Sequence, residues 1–158
     1  MDVKKSIGAY DMVELKEIII ENYEDVLRLK VAKNQEHYVS SVAHSLAEAW
    51  VFKNTAYPFS IYADNTCVGF IMLGYYKLKN QYTLWKFMID EQYQNRGYGK
   101  KALKLGINWL VDNFNVKEVY TGVAFGNTIA ENLYHSFGFR RTDEFDEFQF
   151  EMKLIIED

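Results

Sequence analysis

Gln94-Asn95-Arg96-Gly97-Tyr98-Gly99 stands between a run patterned as a strand, Tyr82 to Ile89, and a broad apolar stripe at helical spacing, Ala102, Leu103, Gly106, Ile107, Leu110, Val111 and Phe114. Strand, glycine turn, helix is a layout that brings backbone amides close to an anion. Glycine permits the close approach, and the helix N-terminus supplies unpaired N–H groups and partial positive charge. Arg96, Lys100 and Lys101 flank the turn, and no Asp or Glu occurs from Gln92 to Asn108. The segment is a candidate pyrophosphate cradle; the same spacing also describes a tight turn with solvated lysines.

Two better-known phosphate motifs are excluded. Gly97-Tyr98-Gly99-Lys100-Lys101-Ala102 matches the dinucleotide pattern G-x-G-x-x-A, but that fold needs several further strand–helix units and only about 56 residues follow. Glu118, the residue at the distance of a ribose-binding acid, also falls at the start of its strand, not at its end. The P-loop pattern fails because Gly99-Lys100 lacks the earlier glycine and the following Ser or Thr.

Working outward, Met12 to Ile19 keeps a period of two, and Asn22 is placed to cap a helix carrying Tyr23, Val26, Leu27 and Val31. Ser45 with Glu48 predicts a capping box for a second helix with Leu46, Ala49 and Trp50. Phe59 to Ala63, a turn at Asp64-Asn65 and Thr66 to Tyr76 read as a hairpin, with Tyr82 to Ile89 as the next strand. After the long helix comes a strand, Val116 to Val123. A short helix follows, capped by Asn127 or Thr128 and closed by Gly138. Phe139 to Thr142 and Glu147 to Ile155 finish the chain around an acidic turn. The order β-α-α-β-β-β-α-β-α-β-β predicts an α+β fold of about seven strands with helices on both faces.

Length and composition agree with one domain, 1–158: 158 residues, 49% hydrophobic and 25% charged, without repeats or linker-like stretches. One cysteine, Cys67, excludes a disulfide framework and sites built on paired thiolates, and no metal is expected. A net charge of −4 disfavours nucleic acid and suits a cationic small molecule. No apolar run reaches the roughly 20 residues of a membrane span, and Met1 to Asp11 lacks the apolar core of a leader, so a cytoplasmic location is expected.

The loop Gln94-Asn95-Arg96-Gly97-Tyr98-Gly99 resembles the acetyl-coenzyme A loop, Q/R-x-x-G-x-G/A, of the Gcn5-related N-acetyltransferases. Asn127, Ala130, Leu133-Tyr134 and Phe137-Gly138-Phe139 are similar to that family's second motif, in the right order and separation. The resemblance implies a mixed, mostly antiparallel sheet and transfer of an acetyl group from acetyl-coenzyme A to an amine. It places the cofactor against Gln94, Asn95, Arg96, Gly97, Tyr98, Gly99, Lys100 and Asn127, with the backbone of Phe87, Met88 and Ile89 pairing with the pantetheine amides. One N–H of that strand is then placed to stabilise an oxyanion.

Tyr134 matches the family's tyrosine and is the expected general acid for the departing thiolate, since phenol and thiol pKa values differ by roughly two units. The base that deprotonates the amine is not legible. Asp90 and Glu91 follow the reactive strand, Glu48 reads as a cap, and His37, His44 and His135 lack a nucleophile or metal-ligand spacing. Cys67 reads as core.

For the acceptor, Leu29 to Gln35, Tyr38-Val39 and Ser45 to Ala49 resemble the bacterial spermine/spermidine branch of the same family. That implies a small-molecule polyamine held by carboxylates and aromatic faces, with Gln35, Glu36 and Tyr38 as candidate substrate contacts and the 143–147 turn, with Asp143, Glu144, Asp146 and Glu147, as a further one. Gln35, Tyr38 and Trp50 also serve as packing residues in an equally good reading. Trp85 occupies the reactive strand where a polar side chain suits a polyamine enzyme. A peptide amine, another small amine and a non-catalytic coenzyme-A-binding module stay open as alternatives, although Tyr75, Tyr76 and Trp85 would obstruct a peptide groove. Spare aromatic surface permits a homodimer.

Overall fold

Period-two alternation decides which core each strand residue joins, and in the computed structural model, which describes residues 12–158, it builds two cores on one sheet. Met1 to Asp11, on which the leader expectation falls, lie outside the described residues. The elements are β1 Val13–Lys16, α1 Tyr23–Leu27, α2 Val42–Val51, β2 Ala56–Ala63, β3 Thr66–Tyr76, β4 Gln81–Ile89, α3 Tyr98–Phe114, β5 Glu118–Ala124, α4 Thr128–Ser136, β6 Arg140–Phe145 and β7 Gln149–Ile155. Their order is the expected one. The sheet runs β1-β2-β3-β4-β5-β7-β6, antiparallel at every neighbour except β4 beside β5.

β3 is central and buried on both faces. Phe70 and Met72 pack with Val26 of α1 and with Val42 and Ala49 of α2. Ile71 and Leu73 point the other way, into a core with Ala102, Leu103 and Leu110 of α3 and Tyr134 of α4. This double burial explains the unbroken apolar run of β3, and it places α1 and α2 on one face and α3 and α4 on the other.

Three local expectations are corrected. The cap of α2 is Ser41, whose hydroxyl accepts from the His44 N–H at 3.1 Å, one turn earlier than the Ser45–Glu48 box. Ser45 is buried inside the helix and donates to the Ser41 carbonyl instead. Asn22 stands before α1 but its side chain turns back, accepting from the Ile19 N–H and donating to the Glu17 carbonyl, and α1 ends at Leu27, before Val31. Trp50 is not a core residue: it is 74% exposed, because the buried stripe of α2 is Val42, Ser45 and Ala49.

Candidate active site

β4 and β5 pair only at Thr83 with Tyr120 and at Leu84 with Thr121, and beyond those two positions they part. The divergence begins at a β-bulge. Leu84 lies opposite Leu73 and Lys86 opposite Met72, so Trp85 is the extra residue of β4. From there to Ile89 the strand pairs with β3 alone and offers its other edge to a cavity of about 750 Å³.

The edge alternates. The Asp90 N–H donates to the Val68 carbonyl of β3, so Asp90 and, two residues back, Met88 direct their backbone groups to β3. Phe87 and Ile89 therefore face the cavity with theirs, and Met88 does not. Of the expected three residues, two present free-edge groups, and the Ile89 carbonyl already accepts from the Gln94 side chain at 2.9 Å.

At the far end of β4, Asp90 is buried and fastens the loops on either side, accepting from the N–H groups of Lys30 at 3.0 Å and Gln92 at 2.9 Å. Asn95 and Gly97 both adopt left-handed conformations, with φ of 64° and 81°. Gly97 is the N-cap of α3 and supplies no side-chain cap, and the helix N-terminus from Gly97 to Lys100 lines the cavity. A β-carbon on Gly97 would meet nothing within 4 Å; its requirement for glycine comes from its φ. Gln94, Asn95, Gly97, Tyr98, Gly99 and Lys100 line the cavity, whereas Arg96 lies outside its wall, over the ring of Tyr93.

Across the cavity, the Asn127 side chain caps α4, accepting from the Ala130 N–H at 3.3 Å, and so fixes the helix that carries Tyr134. Tyr134 is buried beside Thr121 of β5 and lines the same cavity. Burial pushes its phenol up to about 12, outweighing the lowering by its hydrogen-bond partner Thr121, so the hydroxyl keeps its proton throughout the neutral range. Thr121 donates in turn to the Leu84 carbonyl at 3.0 Å, at the last position where the strands still pair.

The acceptor candidates divide. Tyr38 lines the cavity and reaches the β5–α4 turn, where a β-carbon on Gly126 would stand 3.3 Å from its hydroxyl. Gln35 is engaged in a reciprocal amide pair with Gln94, at 2.9 and 3.3 Å, and so braces the glycine turn. Glu36 is exposed and lines none of the described cavities. Neither Asp90 nor Glu91 lines the cleft, and the three histidines are exposed. Cys67, pushed up to about 11 by burial, stays a neutral thiol. Among the described residues no group of three or more His, Cys, Asp or Glu could hold a metal, and no helix is long and apolar enough to cross a membrane.

A second cavity of about 790 Å³ opens on the α2 side of the parting strands. Its walls carry the rings of Phe52, Tyr75, Tyr76, Trp85 and Tyr120 and the carboxylates of Glu144, Asp146 and Glu151. Two of the four acidic residues expected from the 143–147 turn line it; Asp143 and Glu147 do not. Glu151, absent from the expectation, joins them because Thr121 and Met152 pair, which sets Glu151 opposite Gly122 at the mouth. Leu84, Trp85, Lys86, Thr121, Gly122 and Gln149 belong to both cavities, so the two meet where β4 leaves β5.

Residues 14–139 match the model of the acetyltransferase (GNAT) family. The chain belongs to that family. This GNAT member is an N-acetyltransferase by that membership, and the two motifs that suggested it lie on the cleft just described. It is 33% identical over 142 residues to the spermine/spermidine N(1)-acetyltransferase of Bacillus subtilis, covering 85% of this chain and 91% of the relative. Among solved structures, the spermidine N-acetyltransferase from Vibrio cholerae in complex with CoA and spermine superposes with a TM-score of 0.72 at 16% identity, over 90% of this chain and 95% of that one. The PaiA N-acetyltransferase from Thermoplasma acidophilum in complex with coenzyme A gives 0.69 at 20% identity, over 92% and 99%. At these identities the structural matches speak to the fold, and the GNAT fold is the one observed.

Proposed function

We propose that this GNAT enzyme transfers the acetyl group of acetyl-coenzyme A to a primary amine, and that the amine belongs to a polyamine such as spermine or spermidine. The observation that carries the reading is the meeting of two unlike cavities at the parting of β4 and β5. One has an uncapped helix N-terminus and a free strand edge; the other has carboxylates and aromatic rings. The relative from Bacillus subtilis, whose name specifies spermine and spermidine, supports the choice of acceptor.

The residues present suit coenzyme A. Its pyrophosphate fits the N-terminus of α3, with Lys100 at the wall and Arg96 adding charge from outside it. The pantetheine amides extend the sheet along Phe87 and Ile89, as an added strand does. A cleft-facing N–H of this edge stabilises the oxyanion as the amine nitrogen bonds to the thioester carbonyl carbon. When the carbon–sulfur bond breaks, Tyr134 gives its proton to the sulfur and regains one from solvent. In the second cavity, distal ammonium groups of the acceptor meet Glu144, Asp146 and Glu151 and the faces of the surrounding rings.

The test is steady-state thiol release from acetyl-coenzyme A with spermine, spermidine, short diamines, aminoglycosides and lysine-containing peptides offered separately. Saturable release with the polyamines is expected, over at most a stoichiometric background from Cys67. Release with peptides or other amines alone overturns the acceptor; binding of coenzyme A without release from any amine overturns the reaction.

A further inference from the structure

An acceptor ammonium must lose its proton before it attacks, yet none of the carboxylates and imidazoles weighed for that task, Glu48, Asp90, Glu91, His37, His44 and His135, lines either cavity. What the structure puts at the junction is a cation. The bulge at Trp85 turns two successive residues to the same face: the Trp85 ring lies 5.7 Å from that of Phe52, and the Lys86 ammonium lies 2.9 Å from the Ser40 hydroxyl and 3.1 Å from Glu48 Oε1. The charged group of the reactive strand at this junction is thus Lys86, next to Trp85.

The ion pair is oriented. The Lys86 side chain is 20% exposed and that of Glu48 27%, but Lys86 lines both cavities and Glu48 neither. Behind Glu48, His44 Nε2 lies 3.2 Å away on the solvent side. Of the two members of the pair, the lysine is therefore the one that lies where the cavities meet.

We propose that Lys86 selects and activates the acceptor: its charge drives the nearest amine of a bound polyamine into the neutral, nucleophilic form, with Glu48 and Ser40 as positioning residues. This rests on the polyamine reading above. A free primary amine with an ordinary pKa of roughly 10.4 is neutral in about four molecules per ten thousand at pH 7, and a like charge nearby disfavours its protonated form. Each unit by which that pKa falls raises the neutral fraction about tenfold. The outer wall carries three carboxylates, Glu144, Asp146 and Glu151, against one lysine, Lys79, so its balance is negative and distal ammonium groups stay protonated there. A polyamine lies along this gradient with its uncharged end inward. The displaced proton goes to water; the nitrogen lone pair forms the new C–N bond, the nitrogen gives a second proton to water as it becomes an amide, and the C–S electrons leave with the sulfur, which takes its proton from Tyr134.

The ionisable groups that pair with Lys86 or share its two cavities are Glu48 and His44 from α2, Tyr38 from the segment before it, Tyr75 and Tyr76 from β3, Lys79 from the turn after it, Tyr120 from β5, Glu144 from β6, Asp146 from the turn that follows and Glu151 from β7, with Tyr93, Tyr98, Lys100 and Tyr134 along the cofactor side. All remain in place in the variants compared except the one replaced. The experiment is the pH profile of kcat/KM for spermidine in wild type, Lys86→Met, Lys86→Arg and Glu48→Gln, with KM for acetyl-coenzyme A and the melting temperature measured on each.

For Lys86→Met the acid limb should move up by about one pH unit, a loss of about tenfold at pH 7 that is recovered at high pH. Lys86→Arg should keep the wild-type profile, and Glu48→Gln, which leaves the lysine charge uncompensated, should move the limb down. Opposite directions for the two charge removals are the signature that a structural defect does not give. Superimposable profiles, a loss uniform in pH, or a shift of both variants in the same direction overturns the inference alone. Should Lys86→Met fail to fold, the direction of the Glu48→Gln shift decides. No turnover of any polyamine by wild type overturns the acceptor reading, and this inference with it.

Discussion

Removing one oxygen atom from Tyr134 separates chemistry from binding in the cleft. Tyr134→Phe keeps the ring in its place against Phe139, at 5.6 Å, and deletes the hydroxyl and its hydrogen bond to Thr121. Thr121 retains the Leu84 carbonyl as a partner, so the loss of stability should be about 1 kcal/mol. General acids contribute roughly 10²- to 10⁴-fold. With the phenol pushed up to about 12 and a solvated thiol near 8.5, transfer is uphill by about 3.5 units unless the cavity also desolvates the thiolate. That mismatch points to the lower end, a fall in kcat of about 10²-fold, or about 2.7 kcal/mol. KM for acetyl-coenzyme A should change less than twofold, because the glycine turn and the β4 edge are untouched. The pH dependence has a definite sign. The folded pKa lies above the ordinary value of 10, so the stability contributed by the neutral phenol is intact below pH 10 and lost as pH rises from there through about 12. Wild-type kcat should show no basic limb from this group up to about pH 10.5, and Tyr134→Phe should remove part of the alkaline destabilisation seen in melting curves. An unchanged kcat, or a large rise in KM for acetyl-coenzyme A at near-normal kcat, refutes the assignment of Tyr134 as the acid.

Gly97→Ala adds a β-carbon that touches nothing but forces alanine into φ of 81°, a strain of about 1–2 kcal/mol; KM for acetyl-coenzyme A should rise about tenfold with little change in kcat. Gly69→Ala places a β-carbon 2.5 Å from the Met88 carbonyl oxygen and 2.9 Å from Ile89 Cδ1, so β3 and β4 must separate under the binding edge; a stability loss of about 3 kcal/mol, or roughly 6–12 °C in Tm, should appear by calorimetry. Asp90→Ala strands the Lys30 and Gln92 amides at a buried site, with a loss of about 3 kcal/mol in chemical denaturation, whereas Asp90→Asn keeps an acceptor oxygen and should lose about 1 kcal/mol.

The elements that the sequence locates well are those whose signals are local. The Gly97 turn, the Asn127 cap and the Gly138 exit, with φ of 101°, each declare themselves within a few residues, and each stands where expected. The α2 cap shows how a local signal misleads. Ser41 and Ser45 lie one turn apart, and both can bond to the backbone three or four residues away. Only the burial of Val42, Ser45 and Ala49 against β3 chooses between them, and that is a tertiary fact. Trp50 is misread for the same reason: its spacing suits either side of the helix until the sheet is in place.

Polar residues that join across long separations in the chain stayed hidden. Gln35 braces Gln94, Asp90 binds the Lys30 amide and Lys86 meets Glu48, each pair linking the segment around α2 to β4 or the turn after it. None has a pattern of its own, since a lone glutamine, lysine or glutamate reads as surface. The bulge is the deepest case. Alternation alone puts Trp85 and Lys86 on opposite faces, one buried and one solvated, and so predicts no polar group beside the tryptophan. One unmatched residue between Leu84 and Lys86 shifts the phase, brings the lysine to the face of its neighbour and frees the edge that follows. The irregularity that opens the sheet for the thioester is therefore the same one that aims Lys86 at the acceptor, and both consequences follow from the pairing of β4 with β3.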